Sequence, residues 1–164
     1  MSDRAGPARA RRLLLVTRSY PQDDDLYKYP FLHRRVLAYR DAGIETDVFR
    51  VKKTPGLVVH EFEGVTCHTG SPDDIDALVR GRRYDAIAAH GAAETMWRAI
   101  CRVESDARIY SWLHGTEAYA FARREYAFPD PLAREKARAQ FERNLVFWRA
   151  LLSDMPARLT MVAD

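Results

Sequence analysis

The chain has 164 residues, 47% of them hydrophobic and 30% charged, with a formal net charge of +3 and a pI near 9.0. That length fits one ordinary domain, and the apolar fraction excludes a disordered chain. The charge is too mild to indicate nucleic-acid binding; it suits an anionic ligand or a membrane surface. Arginine carries the surplus, the lysines being Lys28, Lys52, Lys53 and Lys136, and guanidinium groups favour planar contact with phosphates and carboxylates. Cys67 and Cys101 are the cysteines, without a C-x-x-C, which points to a reducing compartment and away from a metal knuckle. No apolar stretch precedes Leu13 and a short one follows it, so neither a secretory leader nor a spanning helix is expected and the location reads as cytoplasmic.

In chain order, residues 1–11 read as a loose basic tail. Residues 13–16 form a buried strand, and Thr17 to Pro21 is the turn leaving its carboxyl end. The loop 22–29 concentrates Asp23, Asp24, Asp25, Tyr27 and Tyr29. Pro30 opens a helix with Leu32, Val36 and Tyr39 on one face and Gly43 as its terminator. Residues 46–51 form a second strand. Residues 57–60 and 65–68 flank a turn at Gly64, as a hairpin or a kinked strand. Ser71-Pro72-Asp73-Asp74 marks a helix start with Ser71 as cap, and Ile75, Leu78 and Val79 supply its buried stripe. A strand over 85–89 ends at His90-Gly91. A helix over 94–103 buries Met96, Ile100 and Val103, and a strand over 108–113 runs into His114-Gly115. Residues 118–128 mix aromatic side chains with Arg123 and Arg124, as a loop or short helix that is either an ordinary amphipathic surface or one that touches a membrane or lipid-linked substrate. Asp130-Pro131 starts a long helix, roughly 35 Å, with Ala137, Phe141, Leu145, Trp148 and Leu152 as a core stripe. Residues 159–163 form a last strand.

This alternation predicts an α/β fold: a Rossmann-like, doubly wound, mostly parallel sheet with helices on both faces, spanning residues 12–164. Ligands of such sheets sit at the carboxyl ends of the strands, so His114 and Glu117, just after an apolar strand, should project into a cleft. There is no G-x-G-x-x-G after the first strand, no Walker loop, no G-x-S-x-G and no H-E-x-x-H, which removes the main support for dehydrogenase, P-loop, serine hydrolase and zinc protease readings. Asp23 to Asp25 fits a solvated acidic turn better than a cation site. His60, Cys67 and His68 are too scattered for a metal centre. No metal and no cofactor is expected.

The segments L-L-L-V-T-R-S-Y-P, D-L-Y-K-Y-P-F-L-H-R-R-V-L-A-Y-R-D-A-G-I-E-T-D-V-F-R-V, E-F-E-G-V-T-C-H-T-G and W-L-H-G-T-E, in this order and spacing, resemble the N-terminal domain of retaining, two-domain (GT-B type) glycosyltransferases of family 4. The resemblance implies a domain that binds the acceptor, a glycan or lipid-linked molecule. The nucleotide-sugar donor would be a co-substrate held mainly by a C-terminal domain, absent here, or by a partner chain. It implies that His114 reaches the transferred sugar, that Gly115 allows close backbone approach, and that Glu117 orients His114 or an acceptor hydroxyl. Ser19, Tyr20, Asp25, Tyr27 and Tyr29 would line the acceptor side with His90. The glycine pair usual in the first loop is replaced here by Tyr, Pro and acids, which suits a polyhydroxylated acceptor better than a phosphate. The expected role is glycan or cell-envelope polysaccharide synthesis in bacteria, cytoplasmic or peripheral at the inner membrane face, with the chain inactive alone. The competing expectation is a stand-alone Rossmann-like module that binds a glycan or nucleotide without turnover. A flavodoxin-like regulatory domain is a weaker third reading, lacking a Lys at a late strand end.

Overall fold

The computed structural model describes residues 11–54, 56–113, 121–153 and 159–163. The elements are β1 (Arg11–Thr17), α1 (Pro30–Asp41), β2 (Ile44–Val51), β3 (Val58–Phe62), β4 (Val65–Gly70), α2 (Asp74–Gly81), β5 (Ala86–His90), α3 (Glu94–Arg102), β6 (Arg108–Leu113), α4 (Pro131–Ser153) and β7 (Leu159–Ala163), with 3-10 turns at Phe121–Arg123 and Glu125–Ala127. They build a seven-stranded sheet of order β3-β4-β2-β1-β5-β6-β7, parallel except for the edge strand β3. The chain works outward from β1 to β4, then returns through α2 to the other side of β1. That reversal is the mark of a doubly wound fold and opens a crevice beyond the carboxyl ends of β1 and β5.

The alternation of side chains along β1 divides the core. Leu14 and Val16 face α2, α3 and α4 and pack with Phe49, Ile75, Ile87, Met96, Trp97, Ile100 and Ile109. Leu15 faces α1 and packs with Leu32, Val36, Val48 and Cys67. Helices therefore cover both faces, as a sheet whose strands are this apolar requires.

Local chemistry moves several boundaries. Arg11 belongs to β1 rather than to the tail, because it pairs with Ile44 of β2. Gly43 adopts φ +77, and β2 begins at once after it. The β3–β4 connection is a two-residue hairpin in which Glu63 (φ 46) and Gly64 (φ 74) are both left-handed, the turn type that matches strand twist. Ser71 does not cap α2. The helix starts at Asp74, whose carboxylate instead accepts hydrogen bonds from the Ser71 amide and hydroxyl, both at 2.7 Å. Gly70 makes room for that carboxylate: a Cβ there would lie 2.9 Å from Asp74 Oδ2.

The stripe expected on α4 is corrected too. Trp148 is buried, 6.3 Å from Trp97, while Ala137, Phe141 and Leu145 are only half-buried. Phe141 meets Phe121 of the first 3-10 turn edge to face at 5.7 Å. Tyr39 of α1 is likewise half-buried, and His33 takes the interior place beside Leu32 and Val36. Among the described residues no helix is long and apolar enough to cross a membrane.

Candidate functional site at the carboxyl edge of the sheet

Register aligns side chains at the carboxyl ends of the central strands in one row. Thr69 of β4 lies beside Arg50 of β2, Arg50 beside Thr17 of β1, Thr17 beside His90 of β5, and His90 beside Trp112 of β6. Register partners share a face, and Thr17 has the parity of Leu15, so the row stands on the α1 side.

The first loop leaves from this row. The Thr17 hydroxyl donates to the Ser19 carbonyl at 3.0 Å and accepts from the Ser19 amide at 3.3 Å, fixing the exit from β1. Gln22 and Asp25 exchange backbone hydrogen bonds at 3.2 and 2.9 Å, so Asp23 and Asp24 stand at the tip of a tight turn. The Asp25 carboxylate pairs with Lys28 at 2.7 Å, and that contact holds its pKa below the usual value. Tyr29 adopts a left-handed φ of 55 and sits 5.3 Å from Phe31. Between them Leu26 and Tyr27 project outward, Tyr27 at 94% exposure.

Tyr20 is a correction to the expected acceptor lining. It is 1% exposed, and its hydroxyl lies 2.7 Å from Nδ1 of His33, whose Nε2 lies 2.9 Å from the Glu63 carboxylate. A carboxylate only accepts, so Nε2 donates to Glu63, and in the neutral imidazole Nδ1 accepts from the tyrosine. Burial pushes the Tyr20 phenol up and keeps it protonated. Tyr20 thus anchors the loop to α1 and the hairpin, and its ring is not presented to a ligand.

Across β1, His90 is fully buried and stacks on Trp112 with ring centroids 4.8 Å apart and planes 11° apart. The Arg35 guanidinium, from α1, stands 5.5 Å from the Trp112 ring centre. Gly91 (φ 60) turns the chain, and its amide donates to the Trp112 carbonyl at 3.3 Å. The structure therefore brings Ser19, Asp25, Tyr27 and Tyr29 onto one loop and places His90 next to the start of that loop. His114, Gly115 and Glu117 lie outside the described residues.

Pairing also explains why the other candidates do not gather. His60 and Cys67 are register partners on the α1 side, whereas His68, next in sequence, faces the other side. Burial pushes the Cys67 thiol up to about 12 and lowers the pKa of His68. Among the described residues no group of three or more His, Cys, Asp or Glu converges on a point. A hollow of about 580 Å³ between α3 and α4 is lined by Trp97, Cys101, Phe147 and Leu151 among others. It lies on the helical face away from the strand ends, so strand order rather than volume assigns the site.

Arg35, Arg50, Thr69 and Trp112 were missed as neighbours of the site. The signal was present for Arg50 and Thr69, each the next-to-last residue of a strand with the parity of Thr17; the Arg35–Trp112 contact joins distant segments and leaves no local pattern.

Compared with family models, with curated proteins and with solved structures, the chain matches none.

Proposed function

We propose that the chain is the acceptor-binding half of a nucleotide-sugar-dependent, retaining glycosyltransferase of the two-domain type, acting in glycan or cell-envelope polysaccharide synthesis in bacteria. The observation that carries this reading is the reversal of strand order between β1 and β5, with the acid- and tyrosine-bearing loop and His90 meeting at that point. A polyhydroxylated acceptor needs hydrogen-bond acceptors and an aromatic surface; Asp23, Asp24 and the exposed Tyr27 offer both. The sequence resemblance adds His114 as the group that reaches the transferred sugar, Gly115 as the close backbone approach and Glu117 as its orienting partner. Transfer with retention requires the leaving diphosphate to be neutralised in the transition state. In this reading a C-terminal domain or partner chain does so and holds the donor. The acceptor is a glycan or a lipid-linked glycan met at the inner face of the membrane.

The test is a transfer assay with a panel of radiolabelled nucleotide sugars. It uses the polypeptide encoded by the whole native reading frame, its His114→Ala variant and the 164-residue chain alone. The reading expects transfer by the whole product, a loss of at least about a hundredfold in the variant, as for removal of a group acting on the transition state, and none by the chain alone. Glycan binding without turnover by the whole product would assign the chain instead to a stand-alone binding module.

A further inference from the structure

Several charged side chains elsewhere in the molecule have an answering group. Arg12 meets Glu45 at 2.6 Å, Arg82 meets Asp47 at 2.6 Å, and Arg98 meets Glu94 at 2.7 Å. Arg50 does not. It sits in the row at the carboxyl edge, half-buried, and among the described residues its side chain makes no hydrogen bond and no ion pair; its Nε is shut off from solvent without a partner. The Thr69 hydroxyl beside it in register is also buried and without a partner.

Further basic groups gather at the same place. The Lys52 amide donates to the Gly70 carbonyl at 2.7 Å, tying the end of β2 to the end of β4. The Lys52 ammonium is disfavoured by burial and then by Arg50 and Lys28. His60, across β4, is held below its usual pKa by burial and then by Arg50. Asp24 and Asp23 act on Arg50 and His60 respectively from the loop, without reaching ion-pair distance of either among the described residues. A guanidinium taken partly out of water beside other cations is unfavourable unless an anion answers it. No side chain among the described residues does.

We propose that Arg50, Lys52 and the Thr69 hydroxyl form a binding site for a phosphate ester at the carboxyl edge of β2 and β4. Two full cations and a hydroxyl donor suit a dianionic tetrahedral group better than a single carboxylate. An arginine held at one end of a strand can offer two parallel N–H donors to adjacent phosphate oxygens. The position, outside the strand ends, is where ligands of doubly wound sheets sit. The site stands on these side chains alone and does not depend on the transferase reading.

The experiment is a titration of the 164-residue chain with inorganic phosphate, followed by ¹H–¹⁵N correlation spectra that include arginine Nε–Hε signals. Ionic strength is held constant with chloride, and glucose 6-phosphate and glucuronate serve as phosphate-ester and carboxylate probes. The Arg50 Nε–Hε signal should move with phosphate and with glucose 6-phosphate, and much less with glucuronate. Arg50→Gln should bind phosphate about tenfold more weakly or worse, the loss of a charge-assisted hydrogen bond. Its melting temperature should be unchanged or higher, because an uncompensated charge has gone. A structural arginine would give the reverse: a lower melting temperature and an Arg50 signal that ignores phosphate, which overturns the proposal. Equal binding by Arg50→Gln, or a response to glucuronate but not to phosphate, overturns it as well. If Arg50→Gln does not fold, Arg50→Lys and Lys52→Gln carry the same comparison, and each must weaken phosphate binding for the proposal to stand.

Discussion

Glu63 shows how one residue can hold two opposed requirements. Its left-handed φ of 46 favours glycine or asparagine, yet its carboxylate reaches His33 and completes the chain of contacts to Tyr20. Its side chain is 63% exposed, so the ion-pair part of that contact contributes little. Glu63→Gly should therefore shift stability by no more than about 1 kcal/mol, strain relief offsetting the lost contact. Tyr20→Phe is different. It leaves a buried Nδ1 with no donor, and should cost about 1–3 kcal/mol, read as a lower denaturant midpoint with unchanged slope. Asp74 gives a pH dependence with a definite sign. Hydrogen bonds from Ser71, the side-chain one first, hold its pKa below the usual 3.8. The stabilisation is therefore fully present above the unfolded value and is lost as pH falls through the folded one. Ser71→Ala should lower stability at neutral pH by about 1 kcal/mol and flatten the acid limb of a stability–pH curve. An acid limb unchanged by Ser71→Ala would refute that assignment.

At the scale of elements, α4 joins the main core through its carboxyl-terminal half. Trp148 is 3% exposed and lies against Trp97, while Leu132 near the other end is 60% exposed. Trp148→Ala should cost about 3–5 kcal/mol, and Leu132→Ala should stay within about 0.5 kcal/mol of the parent; thermal melts of the two variants distinguish them. Periodicity alone had marked the whole apolar stripe of α4 as interior. It detects which face is apolar but not which layer covers it: Phe147, Trp148 and Leu151 join the main core, whereas Phe141 meets Phe121 of the 3-10 turn and stays half-buried. The strands were legible because their short apolar runs end on turn residues, and parallel order followed from the helices between them. Strand neighbours were not legible. That β4 lies beside β2, and β5 beside β1, decides which residues form the row at the carboxyl edge, and pairing is a tertiary fact with no local pattern. For the same reason Tyr20 read as part of the loop's surface: only the fold brings His33 and Phe62, its ring 6.3 Å away, around it.

The whole molecule keeps order and exposure apart. The sheet and both helical layers bury Leu14, Leu15, Phe49 and Ile109 completely, and the loop bearing Asp23 to Tyr29 stands beyond the strand ends. Tyr27 is the extreme case. The loop that carries it is fixed at its start by the Thr17 hydroxyl, at Tyr20 by His33, and past its tip by the Asp25–Lys28 pair, yet Tyr27 itself is 94% exposed. A large aromatic side chain held out on an anchored loop adds no packing to the fold, so its removal separates stability from binding. Tyr27→Ala should leave the melting temperature unchanged, since surface substitutions of this kind stay within about 0.5 kcal/mol. If the loop receives a glycan, the same substitution should weaken acceptor binding to the 164-residue chain by about tenfold, the loss of ring contact with a sugar face. Glycan-array binding of parent and variant at equal concentration reads this directly. A fall in melting temperature would give Tyr27 a packing role in the fold. Unchanged stability with unchanged glycan binding would move acceptor recognition away from this loop.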